Sequence, residues 1–399
     1  MRFKLIPLLI TLLLACGCSA AEQESEPARE SQLIALVGGT VIDGTGAEPL
    51  ADAAVIIQDD RIVAVVARDE IEIPAKARIV DVSGCTVLPG FINTHVHAAL
   101  NDTRLRRWAN EGVTTVRDIG CNADELAAFL KTHNDKPRFA RLVAAGPLIT
   151  AVGGYPIAAW NNRRVALEVS SPEEARIEVE RLLDSGAKVI KIVIERGDLW
   201  YPNTPYPILS PEVARMIVRT AHGRGTIVSA HITSRRDIDL ALAAGVDDLA
   251  HMATDGNLTT PQARRVADNG TYWVPTLELW HVVPSNSGSI AKANLRRFVE
   301  VGGLVALGTD FAGYNAEFDL GMPMREIRWM REAGMTPMQI IVAATKHAAH
   351  ICNLGHQIGT LEKGKIADIL VVRGDPLSDP EVLADVRLVM RAGVIIRDE

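Results

Sequence analysis

Cysteine, basic runs and long apolar stretches are all scarce in this sequence, and each scarcity excludes a class of protein. Of five cysteines, only Cys85, Cys121 and Cys352 lie beyond the first 20 residues, and three widely spaced thiols do not make a disulfide framework. The formal net charge is −7, and no run of lysine and arginine indicates a nucleic-acid partner. At 399 residues and 48% hydrophobic composition, the chain is nevertheless long enough to bury a large core.

The chain starts with basic residues and then an apolar stretch, residues 5–15, that is too short to cross a bilayer as a mature helix. This pattern is typical of a secretory signal, so residues 1–15 are predicted to be removed. The sequence Leu-Leu-Ala before Cys16 resembles a bacterial lipobox and predicts lipidation of Cys16, with Cys18 as an alternative. We therefore expect an exported lipoprotein that faces the periplasm and is attached to the membrane only through its lipid. Gly17 after the lipidated residue favours the outer membrane.

The rest of the chain divides by its apolar patterning. Residues 16–32 are acidic, lack large apolar side chains and are predicted to be a flexible tether. Residues 33–87 and 359–399 have short apolar runs separated by glycine, aspartate and proline, which predicts strands. Two β-rich ends around an α/β middle predict one small β-sandwich domain assembled from both termini.

In the middle region, residues 88–358, apolar runs alternate with helical segments. Two of the predicted helices have clear N-terminal signals: Ser171 and Ser210 each offer a capping hydroxyl before a proline and early acidic residues. The strand count and order predict an α/β fold, a (β/α)₈ TIM barrel. The eight candidate strands are 87–97, 113–118, 141–145, 188–195, 226–232, 246–252, 271–277 and 304–310.

Six polar residues stand at or just after the ends of five of these strands: His95, His97, Lys191, His231, His251 and Asp310. A barrel gathers its catalytic groups at the C-terminal ends of its strands. Each residue alone has an ordinary explanation, such as a hydrogen-bonded core histidine or a lysine that reaches solvent. A packed barrel has little reason to end five strands with such side chains, so the joint pattern indicates one two-metal hydrolytic site.

These residues and their surroundings resemble the amidohydrolase superfamily, and within it the imidazolonepropionase-like and prolidase-like (peptidase M38-type) enzymes. The resemblance extends to residues 112–118 and 358–368 and covers nearly everything from residue 33 onward. It implies two divalent ions, with zinc preferred and manganese, cobalt or iron left open. Three residues would hold the more buried ion: His95, His97 and Asp310. Two would hold the other ion: His231 and His251.

Lys191 would bridge the two ions, and because an ammonium group cannot ligate a cation, the resemblance implies that it is carboxylated to N6-carboxylysine. Two cations lower the pKa of a shared water and supply hydroxide at neutral pH. Asp310 would accept the proton and pass it to the leaving amine. No serine or cysteine nucleophile is required.

The predicted reaction is hydrolysis of an amide bond in a dipeptide or an N-acyl amino acid, as in prolidase-like enzymes. Hydrolysis of a cyclic amide or lactone is an alternative, and a metal- or ligand-binding lipoprotein without activity is a second one. The candidate substrate contacts are Tyr155, Tyr206 and His281. Similar enzymes often carry histidine at the position of Tyr155. Arg117 and Asp118 are interpreted as a structural ion pair. The substrate, the metal and the oligomeric state, including a homo-oligomer, are left open.

Overall fold

The structure, a computed structural model, describes residues 32–133, 135–197, 205–283, 286–313 and 317–399. Several predictions lie outside the described residues: the signal, the lipidation site Cys16 with its alternative Cys18, and all of the tether except Gln32. Within the described ranges, no helix is both long enough and apolar enough to cross a membrane.

The described residues form 17 strands: β1 Leu33–Val41, β2 Leu50–Gln58, β3 Arg61–Ala67, β4 Arg78–Asp81, β5 Cys85–Pro89, β6 Phe91–Val96, β7 Val113–Asp118, β8 Arg141–Ala144, β9 Leu148–Ala151, β10 Ala166–Val169, β11 Ile190–Val193, β12 Val228–His231, β13 Asp248–Ala250, β14 Tyr272–Val274, β15 Ile369–Arg373, β16 Val386–Arg391 and β17 Val394–Asp398. The α-helices in the same residues are α1 Asp102–Asn110, α2 Ala123–Thr132, α3 Ile157–Trp160, α4 Pro172–Asp184, α5 Pro211–Gly223, α6 Ile238–Ala244, α7 Thr260–Asp268, α8 Leu277–Val282, α9 Ser287–Glu300, α10 Met324–Glu332, α11 Pro337–Val342 and α12 Ala348–Ile351. A π-helical turn, Ala343–His347, joins the last two helices, and Arg68–Glu70 and Pro380–Ala384 are 3₁₀ turns.

Strands from both ends of the chain share one sheet, in the order β17-β16-β15-β5-β1-β2-β3, with β4 beside β1. The join is β5 against β15, an antiparallel pair in which Leu88 lies opposite Leu370. Apolar side chains such as Ile34, Ile57 and Ile369 are fully buried along these strands. The strand pairing describes one sheet, so the prediction of a sandwich of two facing sheets stays a prediction.

The middle of the chain builds parallel sheets: six strands in the order β10-β9-β11-β12-β13-β14 and three in the order β6-β7-β8. The segment 304–310, predicted as a strand, forms isolated bridges instead. Its backbone bonds run to both sides: Ala306 N donates to Trp273 O of β14, and Thr94 N of β6 donates to the Leu307 carbonyl. The segment therefore lies between β14 and β6 and splits its hydrogen bonds between them.

The predicted strand 87–97 is broken at Gly90 into β5 of the terminal sheet and β6 of the parallel sheet. A Cβ at Gly90 would lie 2.3 Å from the Thr114 hydroxyl oxygen, so only glycine allows this close approach. The break lets one continuous apolar run serve two sheets.

Two predicted helix starts are confirmed. The Ser171 hydroxyl accepts from Glu174 N at the start of α4, and the Ser210 hydroxyl accepts from Val213 N at the start of α5. The predicted ion pair of Arg117 with Asp118 is wrong: Arg117 is fully buried and its guanidinium donates to both carboxylate oxygens of Asp248, at 2.8 and 3.1 Å. Asp118 accepts from the Ala99 backbone instead. Residues 117 and 118 point to opposite sides of a strand, so adjacency in sequence does not bring them together.

Candidate metal centre

All six polar residues of the predicted centre line one cavity. Residues two apart on a strand point to the same side, which places His95 of β6 beside His97. The other four come from separate segments: Lys191 within β11, His231 at the end of β12, His251 directly after β13 and Asp310 at the end of the segment 304–310. The parallel order of these strands is what collects residues that are far apart in sequence.

Two histidines converge on one carboxylate oxygen. The Nε2 atoms of His95 and His97 each lie 3.0 Å from Oδ1 of Asp310. Burial raises the pKa of the Asp310 carboxyl, but the hydrogen bonds and charges of the two imidazoles outweigh it and hold this pKa well below its usual value. Asp310 is therefore an ionised carboxylate at the centre of the cluster.

The imidazole rings follow one another across the cavity. Ring centroids are 5.5 Å apart for His97 and His95, 4.6 Å for His95 and His251, and 4.7 Å for His251 and His231. Burial lowers the pKa values of His95, His231 and His251, which favours the neutral imidazole that metals bind.

The backbone turns sharply where two of these side chains leave their strands. His251 has φ of 73° and Asp310 has φ of 63°, in the left-handed region that residues other than glycine rarely adopt. The Thr276 hydroxyl lies 2.9 Å from Nδ1 of His251 and fixes the orientation of that ring. Such strain persists only where the surroundings hold it, and it often accompanies a functional site.

Lys191 is the least satisfied of the six residues. Its side chain is 1% exposed, and Nζ has no hydrogen-bond partner among the described residues. Burial lowers the pKa of this amine to about 7, with nearby Arg117 acting in the same direction. A buried, unpaired ammonium is costly, so an appreciable neutral fraction at neutral pH follows.

The residues present fit a divalent ion. Ligand atoms of His95, His251 and Asp310 lie within 4.8 Å of one another, and all three residues are buried. Within the described ranges, three buried atoms have no hydrogen-bond partner: His95 Nδ1, His231 Nε2 and Lys191 Nζ. Imidazole and carboxylate donors suit zinc and its neighbours in the first transition row. This group of three contains His251 in place of His97, so the predicted division of ligands between two ions stays a prediction.

Residues 86–396 match the Amidohydrolase family, which is more than three quarters of the chain. The chain belongs to the amidohydrolase family. Members of this family are hydrolases that act on carbon–nitrogen bonds, and they generally bind divalent metal ions. Its structural neighbours imply a TIM-barrel-type fold for the parallel strands described above.

Individual relatives are distant but cover almost the whole amidohydrolase. Ochratoxinase from Aspergillus niger is 25% identical over 90% of this chain and 85% of its own length. Imidazolonepropionase from Geobacillus sp. strain WCH70 is 23% identical over 81% of this chain and 84% of its own. The crystal structure of a prolidase complexed with N-methylphosphonate-L-proline superposes with a TM-score of 0.75 at 26% identity, covering 92% of this chain and 100% of that one.

The amidohydrolase cavity has a volume of about 690 Å³, which suits a small-molecule ligand. Of the three candidate substrate contacts, the structure brings Tyr155 into it, with its ring stacked on His231 at 4.8 Å. Tyr206 and His281 are not among the described lining residues. His281 instead stacks on Trp329 at 3.6 Å, and its Nδ1 lies 2.8 Å from the Leu277 carbonyl oxygen. Residues 198–204 of the loop after β11 lie outside the described residues.

The lining residues that were not predicted include Glu195 and Arg104. Glu195 is 2% exposed, its carboxylate accepts from Thr233 and from the Gly197 backbone, and Oε2 lies 3.5 Å from Nε2 of His231. The signal was available, because Glu195 is four residues after Lys191 and extended backbone puts both on one side. No sequence signal marks Arg104, which the first turn of α1 places at the cavity.

Proposed function

We propose that this amidohydrolase is a binuclear metal-dependent enzyme that hydrolyses an amide bond of a dipeptide or an N-acyl amino acid. One observation carries the proposal: four histidines, an ionised aspartate and an unpartnered buried lysine meet at the base of one cavity. We also propose that the parallel strands close into an eight-stranded barrel. A backbone bond from Lys188 N of the β11 region to Ala144 O of β8 supports that closure.

The histidines and Asp310 would hold the ions in two groups. The more buried ion would take three residues: His95, His97 and Asp310. The other would take two: His231 and His251. Bound together, two divalent ions lower the pKa of a water and polarise a substrate carbonyl.

Lys191 would complete the centre through a covalent change. The neutral amine attacks carbon dioxide, a carbon–nitrogen bond forms, and one proton leaves to solvent, which yields an anionic carbamate with two oxygen donors. The reaction needs the unprotonated amine, and a pKa of about 7 supplies it at neutral pH. The carbamate also explains why a buried nitrogen lacks a partner.

Asp310 would act as the proton carrier. Its carboxylate would accept the proton of the attacking water and deliver it to the departing amine nitrogen, which cannot leave as an anion. Tyr155, in the cavity and beside His231, would contact the acyl part of the substrate. The cavity wall formed by Trp160, Leu279 and Trp280 would shield the reacting bond from bulk water.

The test is turnover by purified, zinc-loaded protein against dipeptides, N-acyl amino acids, cyclic amides and lactones. We expect hydrolysis within the first two classes and a fall of at least about 1,000-fold in kcat for Asp310→Asn. The control Asp184→Asn changes an exposed carboxylate that pairs with Arg224 and should retain full activity. Turnover of cyclic amides or lactones alone would reassign the substrate. Protein that holds two ions and hydrolyses nothing would favour a binding lipoprotein and refute the proposal.

We further propose that the mature chain begins with a lipidated Cys16 and faces the periplasm. The lipobox-like sequence before that residue supports it. Mass spectrometry of the mature N-terminus should find a diacylglyceryl cysteine at position 16. A lipid on Cys18, or an unmodified N-terminus, would contradict this.

A further inference from the structure

Arg104 is a cationic side chain at the cavity and has no carboxylate partner among the residues that the structure describes. It lies in the first turn of α1, and its Nη1 donates to the Ala98 carbonyl at 2.8 Å. Its guanidinium carbon lies 5.7 Å from the centre of the Phe311 ring. Both anchors adjoin residues of the metal centre in sequence, since Ala98 follows His97 and Phe311 follows Asp310. The guanidinium is therefore held near the centre with N–H groups to spare.

The other charged groups of the cavity are already engaged. Glu125 pairs with Arg164, which is not among the lining residues, and Glu195 accepts from Thr233 and a backbone amide. Asp310 is held by two histidines, and Lys191 is buried at the base. Across the described part of the chain, Arg104 is thus the lining cation at the cavity mouth that has no charged group to neutralise it.

Neutral amides also line the cavity. The oxygens of Asn101 and Asn162 accept from Arg104 N and Arg164 N, and Asn122 caps α2 and donates to the Arg164 carbonyl. Because Arg104 carries a positive charge and these amides do not, a ligand that enters the cavity meets Arg104 as the stronger donor. Guanidinium groups bind carboxylates through two parallel hydrogen bonds, a geometry a lysine cannot match.

The position of Arg104 gives the bound substrate a direction. Ring contacts run in succession through His97, His95, His251, His231 and Tyr155. Arg104 is anchored beside His97, the first of these rings, and Trp160 contacts Tyr155, the last of them, in edge contact at 5.0 Å. A cationic group thus adjoins His97 and Asp310, and aromatic groups adjoin His231.

We infer that Arg104 binds a free carboxylate on the leaving-amine side of the substrate, while the acyl side lies against Tyr155 and Trp160. This inference rests on the proposed function and names the residue that would recognise the free carboxylate of its substrates. It agrees with the proton path, because Asp310, which would protonate the departing nitrogen, lies at the same end as Arg104. Cyclic amides and lactones without a carboxylate would gain nothing from this residue.

The experiment compares N-benzoyl-L-alanine with its neutral carboxamide, N-benzoyl-L-alaninamide. Binding is measured by calorimetry in an Asp310→Asn background, and KM and kcat are measured in otherwise unaltered protein. Because a charge-assisted hydrogen bond is lost with the carboxamide, we expect roughly 10- to 100-fold tighter binding and lower KM for the carboxylate. Arg104→Met should abolish this preference and leave the carboxamide unaffected, and Arg104→Lys should retain part of it.

Arg107→Met is the matched control, since Arg107 lies on the same helix, is exposed and pairs with Glu111 outside the cavity. It should keep the full preference. The inference is overturned if the preference for the carboxylate survives Arg104→Met, or if Arg104→Met weakens the binding of both ligands equally. It is also overturned if the protein that retains Arg104 binds neither ligand. If the carboxylate preference depends on Arg104 but no amide is ever hydrolysed, the inference stands and the proposed function fails.

Discussion

A single buried amine would distinguish the proposed binuclear centre of this amidohydrolase from a mononuclear one. Lys191 is nearly inaccessible, and its Nζ has no partner in the described part of the chain, which in an ordinary core would be a destabilising defect. A well-packed apolar side chain of similar volume would be at least as stable there. The presence of Lys191 is understandable if the amine is converted to an anionic ligand.

The variant Lys191→Met tests this directly, because methionine fills a similar volume without the amine. We expect the bound metal to fall from two ions to one per chain and kcat/KM to fall by at least about 100-fold. Stability of the metal-free protein should be unchanged or higher. Elemental analysis, kinetics and thermal unfolding provide the measurements. The control Lys188→Met changes an exposed lysine three residues earlier and should alter neither the metal content, the kinetics nor the thermal unfolding. If Lys191→Met retained two ions, that result would contradict the bridging role.

Tyr155 gives a second residue-scale prediction. Burial, and then the negative charges of Asp310 and Glu195, raise the pKa of its phenol well above 10, so the hydroxyl stays protonated and able to donate. Tyr155→Phe keeps the ring stacked on His231 and removes only this donor. We expect kcat to fall about 10- to 100-fold with little change in melting temperature. An unchanged kcat would show that the tyrosine only packs.

The sequence could predict the residues that meet at the candidate metal centre better than the other residues that line the cavity, and the reason is side-chain direction. A residue that ends a parallel strand reaches the cavity whatever its neighbours do, which is why His95, His231 and Asp310 were predictable. His281 lies on a helix, where direction depends on packing, and it turns to Trp329. Arg104 belongs to no motif in the sequence, yet the first turn of α1 brings it to the cavity.

At the scale of elements, the short helix α8 depends on two buried carboxyl groups. Glu326 of α10 accepts from the backbone N–H groups of Leu277 and Glu278, which begin α8. Glu278 is itself fully buried, and one of its oxygens accepts from Asp319 N. Burial raises the pKa of Glu278 to about 7 and that of Glu326 to about 8. The helix carries Leu279 and Trp280 of the cavity wall, so these acids position one side of the site.

The free energy of unfolding should therefore decline as pH rises from 4.5 to about 7. The unfolded state releases the Glu278 proton near pH 4.5, whereas the folded state keeps it to about pH 7, so the folded state binds more protons between these values. The loss accumulates from pH 4.5 to 7 and is then complete, at on the order of 1–3 kcal/mol.

The variant Glu278→Gln removes this titration while its amide oxygen can still accept from Asp319 N. We expect it to match the unaltered protein in urea unfolding at pH 5 and to be more stable at pH 8. Glu300→Gln, an exposed change at the end of α9, is the control and should show no such divergence. Equal stability differences at the two pH values would show that Glu278 does not titrate in this range.

Strand boundaries were predicted least well where one apolar run forms backbone hydrogen bonds with two different sheets or strands. The run 87–97 was predicted as one strand because it is a nearly continuous apolar stretch, and the close approach of Thr114 to Gly90 explains the break. The segment 304–310 reads as a strand for the same reason, yet it divides its backbone bonds between β14 and β6. Such pairing depends on partners far away in sequence, which periodicity cannot specify.

At the scale of the whole molecule, one aspartate is among the residues that join the terminal sheet to the parallel sheets. Gln32–Glu399 forms one compact unit. Within it, Asp368 accepts from the Arg141 guanidinium of β8 at 2.5 Å and from Ala392 N at 2.8 Å, and its carbonyl accepts from Gly90 N. The period of the apolar residues predicted that both termini share a β-rich region. It could not predict this joint, because a buried ion pair leaves no periodic signal.

This joint predicts that the two regions unfold together. All six tryptophans lie between residues 88 and 358, so fluorescence follows only the middle of the chain, whereas far-ultraviolet circular dichroism follows both regions. We expect the two transitions of the unaltered protein to coincide, as in a two-state unit. Asp368→Asn leaves the largely buried Arg141 uncompensated, which should cost about 2–4 kcal/mol and shift both transitions together. If the circular dichroism transition moved to lower denaturant while fluorescence stayed in place, the terminal sheet would be an independent folding unit. The β-rich ends would then be a separate domain in energetic as well as sequence terms.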